Sequence, residues 1–582
     1  MEKRVLIAFL LSTAILAVWY YFFTPPAPKP TTPTTGQQDK PSPPRSPETP
    51  AASGAPSVGS ISPSVEIPER DIRIETPLWR ATFTNRGAVA KSWSITHLLN
   101  GKRVLGDDRQ PLELVPQTPD VVEKLGRPFA LIASDEAITR LLQKSTYEIS
   151  PDTPLIQIGE NETRRVTFTY RNDAAQLEVI KTLTFYGNRY DFELALDAKY
   201  RGQPLPLELV IGPSFGDQSI KKIDSYTKTP PLVVAYQNED AERIRPESVP
   251  SQPLTGSIRW AGVEDNYFAL VAIPPQPLAH VKVTGTTIKE RIDDEEIERH
   301  FIAATLPFPP AQRYRFFAGP KDLRALRTLD QQLGGVGLES VINYGAFAFM
   351  VKPLLQWILV PALHATHRFS QNYGVDIILI TFVINMFFFP LRRTSTIKMR
   401  KAVAMQPRLR ELQEKMKGLK KTDPKFQDLQ MEQLRLMREA NPFSGCLPLL
   451  LQLPIFWAFF ILLTVSLELR QAPFFGWIDD LSSPDRWHVL PIAMCLSMIA
   501  SSLIMPQPTG DQQQKVQRFM MAYLMPILLT YFFFWRAPSG LVLYWMFSNI
   551  VTIAQQYFIN RMLGSPAAAP DKEKVAKPAV SS

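Results

Sequence analysis

The fold is decided at residues 375–401, VDIILITFVINMFFFPLRRTSTIKMRK, where an apolar run passes directly into a strongly basic segment. Further apolar runs follow in the last two-fifths of the chain, and the basic segment separates the first run from the others. Lysine and arginine close to membrane spans stay on the cytoplasmic side of a bilayer. The sequence therefore predicts a polytopic membrane protein whose basic insert faces the cytoplasm.

The average composition conceals this organisation. The 582 residues have a mean hydropathy of −0.08 and are 45% hydrophobic, which are values that a soluble protein also has. The average combines a polar N-terminal half with a very apolar C-terminal part. The two parts are therefore expected to occupy different environments.

Residues 1–23 are predicted to form an N-terminal membrane anchor. Val5 to Phe23 carry no charge, follow Lys3 and Arg4, and are long enough to cross a hydrocarbon core of about 30 Å. Aromatic residues from Trp19 to Phe23 stand where a signal peptide would carry small residues, which favours an uncleaved anchor with its N-terminus inside. Residues 24–65 are rich in Pro, Thr and Ser, so they are expected to be a disordered linker.

Residues 66–320 consist of short alternating runs such as Arg165 to Tyr170 and Tyr190 to Leu196. Alternation with a period of two, bounded by turn residues, is typical of half-buried strands. We expect an all-β sandwich domain outside the membrane. A scaffold or docking role is favoured over a ligand or sugar site, because no carboxylate pair or histidine cluster has catalytic spacing.

Five C-terminal spans and the anchor give six transmembrane helices with both termini inside. Part of residues 321–371 is apolar, from Gly345 to Leu363, but a crossing there would put the basic insert outside. This segment is therefore expected to contain an amphipathic helix lying flat at the interface. The expected segments are the second span 372–391, the basic helical hairpin 392–441, the third span 442–468, the outer loop 469–487, the fourth span 488–505, the inner loop 506–518, the fifth span 519–535, the sixth span 539–561 and the inner tail 562–582.

The basic segment is predicted to form a helical hairpin. Apolar positions such as Leu409, Leu412 and Leu434 have helical spacing, with a break near residues 418–424. Such a hairpin suits anionic lipid headgroups, RNA or an acidic partner, and the alternative is a solvated hairpin that only sets orientation. Its candidate contact residues are Arg400, Lys401, Arg408 and Arg410.

Polar side chains are rare in the predicted spans, and each uncompensated one is costly in hydrocarbon. Thr381, Asn385 and Arg392 are four and seven residues apart and share one helix face. The same spacing recurs on the last span, and one polar residue lies on the third: Tyr544, Ser548, Thr552, Gln555 or Gln556, and Gln452. Two interpretations remain open, namely hydrogen bonds between helices and a water-lined groove for a polar substrate.

Neither cysteine nor histidine spacing indicates a metal or redox site. Cys446 and Cys495 lie in apolar runs, where buried small hydrophobic residues are the favoured interpretation. His364 and His367 have the spacing HxxH but lack the glutamate of a zinc protease helix. No cofactor and no small-molecule substrate are expected.

The membrane half carries several motifs that are specific in combination. They are Phe389-Pro390-Leu391, NPFSGCLP at 441–448 with QLPIF at 452–456, ELRQAPF at 468–474, and PSGLVLYW at 538–545 followed by Ser548-Asn549. These motifs resemble those of the YidC membrane protein insertases of Gram-negative bacteria, which have a large periplasmic domain. The β region agrees more loosely, through TNRG at 84–87 and NYFA at 266–269.

The resemblance implies an insertase and chaperone without chemical catalysis. Five core helices would form a hydrophilic groove that is open to the cytoplasm and to lipid. The β region would be a periplasmic super-β-sandwich, and the protein would lie in the inner membrane. The implied partners are nascent membrane proteins, the Sec translocon, the ribosome and signal-recognition machinery, and anionic lipid headgroups. The implied groove residues are Thr381, Asn385, Arg392, Gln452, Tyr544, Trp545, Ser548 and Thr552.

The chain departs from the family at Asn385, where an arginine commonly lies in the groove. Asparagine carries no charge, so we expect weaker attraction for acidic substrate tails. Arg392, two turns toward the cytoplasm on the same face, is a candidate substitute. Thr381 matches the family's substrate-facing threonine, and Trp545 stands where the family has an aromatic residue.

Two other classes of protein are alternatives to an insertase. A transporter or channel with an extracytoplasmic sensor domain usually has inverted repeats around broken spans, and the chain has no matching halves. An envelope enzyme acting on glycan would need a pair of acids that the β region lacks. The transporter remains the alternative function.

Overall fold

The computed structural model describes residues 67–222, 226–292, 294–345, 347–417, 419, 423–440, 447–505 and 512–563. The expected anchor 1–23 and linker 24–65 lie outside the described residues. So do residues 441–446 with Cys446, residues 506–511 of the expected inner loop, and residues 564–582 of the expected tail.

The first half of the described chain is a β-rich domain. Its strands are β1 (Asp71–Glu75), β2 (Trp79–Thr84), β3 (Val89–Ile95), β4 (Leu131–Ile132), β5 (Glu148–Ser150), β6 (Leu155–Gln157), β7 (Thr163–Asn172), β8 (Leu177–Tyr186), β9 (Asp191–Tyr200), β10 (Gln203–Pro204), β11 (Leu207–Ile211), β12 (Leu232–Gln237), β13 (Asp240–Ile244), β14 (Leu254–Ile258), β15 (Trp260–Glu264), β16 (Phe268–Ile273), β17 (Leu278–Ile292), β18 (Glu295–Phe308) and β19 (Gln312–Pro320). They form sheets in the orders β3-β2-β1-β6, β13-β12-β15-β16-β19-β9-β8-β7-β5 and β14-β17-β18-β11-β4, and β10 pairs with β9. The domain is therefore β-rich, as the alternation predicts.

Two short helices, α1 (Pro119–Leu125) and α2 (Glu136–Lys144), interrupt the strands. The expectation of an all-β domain is too strict at these positions. Helix α2 begins where the Asp135 side chain accepts a hydrogen bond from the Ala137 amide at 2.7 Å, and it buries Ile138 and Leu142 four residues apart. This helix is only nine residues long, so its helical period is difficult to recognise in a sequence where strands surround it.

The core of the β domain contains aromatic rings and the side chain of Lys181. Phe83, Phe129, Phe185 and Phe192 lie with ring centroids 5.3–6.1 Å apart. Lys181, on β8, is fully buried, and its ammonium donates hydrogen bonds to the carbonyl oxygens of Ala88 (2.7 Å) and Phe129 (2.8 Å). Burial lowers the pKa of Lys181 to about 7.

Helices make up the second half. They are α3 (Leu323–Gln332), α4 (Ala348–Leu354, a π-helical turn Leu355–Leu359 and Val360–Ser370), α5 (Tyr373–Phe387), α6 (Phe389–Lys417), α7 (Pro424–Ala440), α8 (Leu447–Val465), α9 (Val489–Ile504), α10 (Gln512–Phe519, Met520–Leu524, Met525–Leu529 and Thr530–Phe534, with π-helical second and fourth parts) and α11 (Ser539–Leu563). Short 3₁₀ turns lie at Pro246–Ser248 and Leu338–Val341.

Helices α5 and α6 are separated by a bend of 54° at Phe388. The second span was expected to end at Leu391, but its last residues belong to the next helix. Pro390 lacks an amide hydrogen and cannot donate to the preceding turn, so α5 does not continue through it, whereas a proline is tolerated in the first turn of the new helix. The first three residues of the basic helix are therefore apolar.

By length and composition, two helices of the described chain can cross a membrane, Ala348–Ser370 and Lys515–Phe534. The bent pair α5 and α6 makes a third if it counts as one span, and Gln452–Val465 and Val489–Ile504 are shorter apolar helices. Helix α4, expected to lie flat, is thus long and apolar enough to span. The number of six spans stays a prediction.

The loop between α8 and α9 is attached to the β domain. Arg470, which is 5% exposed, forms an ion pair with the buried Asp217 and lies over the Tyr267 ring, 5.1 Å from its centroid. Lys102 donates to the carbonyl oxygens of Glu468 (2.6 Å) and Arg470 (2.7 Å), just after the C-terminus of α8. Burial lowers the pKa of Lys102 to about 8, although Asp480 and Glu468 oppose this shift. These contacts hold the loop on the domain.

Candidate functional site

The candidate site lies where α5 and α6 meet α8 and α11. Helix α5 begins at Asn372, whose side chain accepts hydrogen bonds from the amides of Gly374 (2.9 Å) and Val375 (3.2 Å). From this start, Thr381 and Asn385 come to the face that contacts α11, and Arg392 follows on α6 beyond the bend. The four-residue spacing of polar residues on α11 brings its polar face to the same place.

Asn385 is the centre of the contacts within the membrane part. Its Nδ2 donates to the Thr381 carbonyl at 2.8 Å and lies 3.3 Å from the Ser548 hydroxyl. Ser548 also accepts a hydrogen bond from Gln452 Nε2 on α8, at 3.2 Å. One residue from each of three helices therefore meets at the Ser548 hydroxyl.

Arg392 brings a positive charge to this place. Its Nη1 donates to Thr552 Oγ1 (2.5 Å) and Gln555 Oε1 (3.0 Å), and its Nη2 lies 3.5 Å from Asn385 Oδ1. These partners are uncharged, and none of the ion pairs among the described side chains includes Arg392. The guanidinium is therefore oriented by neutral acceptors and keeps its net charge.

The polar contacts continue along α6 toward the basic hairpin. Thr396 donates to Gln556 Oε1 at 3.2 Å, and Arg400 Nη2 donates to Asn560 Oδ1 at 2.7 Å. We call this row the polar seam; its residues are Asn385, Arg392, Thr396 and Arg400 on α5 and α6, and Ser548, Thr552, Gln555, Gln556 and Asn560 on α11. The seam links the centre of the bundle to the end of α11.

A cavity opens beside the seam. It is lined by Ile384, Asn385, Phe388, Leu391, Arg392, Gln452, Ile455, Tyr544 and Ser548. Its volume of about 30 Å³ has room for the centres of about two water molecules and not for a peptide. A polypeptide segment is larger than this volume.

Most of the residues singled out from sequence come together here. Asn385, Arg392, Gln452, Tyr544 and Ser548 line the cavity, and Thr552 holds Arg392. Thr381 is fully buried and donates its hydroxyl hydrogen to the Ile377 carbonyl at 2.6 Å. Trp545 lies on another face of α11, against the rings of Phe456 (4.9 Å) and Phe534 (5.3 Å).

The four candidate residues of the hairpin do not act as one group. Arg400 belongs to the polar seam, whereas Lys401 and Arg408 are exposed. Arg408 lies 3.4 Å from Glu432, which joins α6 to α7, and Arg410 is half-buried. Of these four residues, Lys401 and Arg408 therefore have exposed side chains, whereas Arg400 belongs to the contact with α11.

Sequence reasoning missed Thr396 and Asn560, and left Gln555 and Gln556 as alternatives although both take part. The signal was present, because Thr396 and Arg400 follow Arg392 at intervals of four and continue its helix face. Within the described ranges, no group of three or more His, Cys, Asp or Glu side chains is placed to hold a metal ion.

The chain is similar to known proteins over most of its length. Residues 71–357 match the family model described as the YidC periplasmic domain, and residues 365–566 match that of the 60Kd inner membrane protein. The membrane protein insertase YidC of Syntrophus aciditrophicus is 32% identical over 96% of this chain and 100% of its own, and that of Geobacter metallireducens is 29% identical over 98% and 100%. A crystal structure of an active YidC insertase, 18% identical, covers 86% of this chain and 95% of its own at a TM-score of 0.32.

Proposed function

Because this chain belongs to the YidC family of membrane protein insertases, we propose that the polar seam is the path of a substrate's hydrophilic segment. The chain is a membrane protein with a periplasmic domain, it is an insertase and not an enzyme, and its substrates are nascent membrane proteins. The observation that carries the proposal is the convergence of Asn385, Arg392, Gln452 and Ser548 on one cavity between apolar helices.

The physical role of the seam is to lower a dehydration cost. A polar tail that crosses hydrocarbon alone loses its hydrogen bonds to water, at a cost of several kcal/mol for each unsatisfied group. Asn385, Gln452 and Ser548 offer donors and acceptors in its place, after the helices part. Burial of the substrate's apolar helix in lipid, worth about 25 cal/mol per Å², supplies the driving force.

In this proposal Arg392 supplies the charge that Asn385 lacks. The Arg392 guanidinium lies within 3.5 Å of the Asn385 side chain, so its charge acts at the same cavity. A carboxylate on the tail would be attracted there, because effective dielectric constants inside proteins are far below that of water. Acidic tails are thus favoured over neutral ones.

The proposed arrangement places the chain in the inner membrane, with six spans and both termini in the cytoplasm. Helix α4 lies at the outer interface, and its polar side supports this: Lys352 forms an ion pair with Glu339 at 2.8 Å, and His364 lies 3.0 Å from Glu468. The same helix has three strongly exposed aromatic side chains, Phe349, Trp357 and Phe369, which would lie among lipid.

Lys401, Arg408 and Arg410 are proposed as the recruitment surface of the hairpin. A basic helical surface next to the cytoplasmic end of the seam suits the RNA of a ribosome, acidic signal-recognition machinery and anionic lipid headgroups. We propose that the chain works alone or beside the Sec translocon, and that it also assists folding and assembly of its substrates.

The proposal is tested by crosslinking from two adjacent positions at the end of α5, one facing the cavity and one facing lipid. Phe388 lines the cavity, whereas Phe387 is 77% exposed on the lipid-facing side. A photoreactive phenylalanine replaces each in turn, in membranes that contain a stalled nascent single-span protein. We expect the polar tail of the substrate to crosslink to position 388 and not to position 387.

Leu528, 41% exposed on α10, is the second lipid-facing control. Equal crosslinking from positions 387, 388 and 528 would contradict a path through the cavity. Normal insertion without a crosslink from position 388 would contradict it as well.

A further inference from the structure

Gln555 connects two parts of the bent helix pair. Its Oε1 accepts a hydrogen bond from Arg392 Nη1 on α6, and its Nε2 donates to the Asn385 carbonyl in the last turn of α5, both at 3.0 Å. The side chain is 6% exposed. We propose that Gln555 positions the Arg392 guanidinium at the cavity and thereby sets the preference for hydrophilic segments that carry carboxylates. This inference rests on the proposed function of the seam.

The orientation of the Gln555 amide follows from its partners. A backbone carbonyl can only accept, so the NH₂ group must face Asn385 and the amide oxygen must face Arg392. Carbonyls in the last turn of a helix lack partners within that helix, and α5 ends at Phe387, two residues after Asn385. One side chain therefore satisfies the end of α5 and fixes the start of α6 across the bend.

Thr552 supports the same arrangement. Its hydroxyl hydrogen is donated to the Ser548 carbonyl at 2.6 Å, so that its lone pairs remain for Arg392. Thr552 and Gln555 are thus neutral acceptors with fixed orientation for the guanidinium. A neutral acceptor orients the charge without cancelling it, and a site that attracts carboxylates requires this property.

The test adds a negative charge at position 555 and keeps the size of the side chain. Gln555→Glu retains an oxygen for Arg392 but forms an ion pair that neutralises it. The matched control is Gln332→Glu, the same substitution at another glutamine whose Oε1 accepts a hydrogen bond from an arginine, Arg189 Nη2 at 2.6 Å. Gln332 is the last residue of α3 and lies outside the seam. Arg392→Gln removes the charge itself.

The measurement uses the full chain in vesicles and two single-span substrates, one with aspartates in its short tail and one with asparagines at the same positions. The readout is the ratio of their inserted fractions. We expect Gln555→Glu and Arg392→Gln to lower the ratio by about tenfold, the effect of a unit charge at roughly 12 Å in an effective dielectric of about 20. Gln332→Glu should leave the ratio unchanged.

A purely structural role of Gln555 would lower both inserted fractions together and leave the ratio unchanged, and this outcome would overturn the inference. If Arg392→Gln lowers the ratio and Gln555→Glu does not, the inference fails and the proposed function stands. If neither variant lowers it, the charge has no role, and the crosslinks from position 388 decide separately whether the seam is the path. Gln555→Met, which removes both hydrogen bonds without adding charge, is the second variant and should also lower the ratio.

Discussion

Removal of the charge of Asp217 should release the α8–α9 loop from the β domain. Asp217 has no exposed side-chain surface, and Arg470 is 5% exposed, so the pair is cut off from water. Breaking a buried ion pair by removing one partner costs about 3–5 kcal/mol, because the other charge stays buried without compensation. Asp217→Asn also weakens the hydrogen bonds that this carboxylate accepts from Ser219 (2.6 Å) and the Asp107 amide (3.0 Å).

The assay is hydrogen exchange of the full chain in detergent, followed at amides of the loop. The Leu481 amide donates to the Ala472 carbonyl within the loop at 3.0 Å, so its exchange reports local unfolding of the loop, which the contacts with the β domain oppose. A loss of about 3 kcal/mol in opening free energy corresponds to exchange that is roughly 100-fold faster. Arg470→Met combined with Asp217→Asn should restore part of the protection, because no lone charge then remains buried.

The control is an exposed pair in the same interface. Arg109 and Asp479 lie 3.8 Å apart with 61% and 73% of their side chains exposed. Asp479→Asn should therefore change the opening free energy by less than about 1 kcal/mol. Equal acceleration of exchange in the two variants would refute the reasoning, since the difference in burial would then have no consequence.

Three further predictions concern single positions. The pKa of Lys181 is lower in the folded protein than in the unfolded chain, so the unfolded state binds more protons between about pH 7 and 10. The free energy of unfolding should therefore rise with pH in that window by about 3–5 kcal/mol. Denaturation followed by tryptophan fluorescence should show this rise in the native chain and not in Lys181→Met. Gly262→Ala should destabilise the β domain, because a Cβ there would lie 2.1 Å from the Leu270 carbonyl oxygen, whereas Gly159→Ala meets only a side chain at 3.5 Å; thermal unfolding of both variants tests this difference. Asn385→Arg should raise the insertion of acidic tails relative to neutral ones, and an unchanged ratio would count against an electrostatic role of the cavity.

The sequence predicted the β-rich domain and the helical membrane half because both depend on local periodicity. Alternation in β8, LEVIKTLTFY, places every second side chain in the core. The same pattern could not reveal that Lys181 lies among aromatic rings, since its partners Ala88 and Phe129 are distant in the chain. Nor did it distinguish the short helix α2 from the strands around it.

For the candidate site, helical spacing along the chain was sufficient to group Asn385 with Arg392 and Ser548 with Thr552. The partner of each group lies about 160 residues away, as Arg392 and Thr552 do. Which polar faces meet depends on helix packing and on the bend at Phe388, and spacing within one helix contains neither. Trp545 illustrates the limit, because its position next to Tyr544 did not bring it to the cavity.

By itself the sequence determined that this protein has a β-rich domain, apolar helices and a basic insert, since hydrophobicity, alternation and charge act over a few neighbouring residues. Only the tertiary structure decided that Gln555 holds Arg392 and that Arg470 docks on Asp217. Both contacts join elements that are far apart in the chain and brought together by packing of the apolar faces around them. The charge of Arg392 therefore comes from the sequence, and its place beside Asn385 comes from the fold.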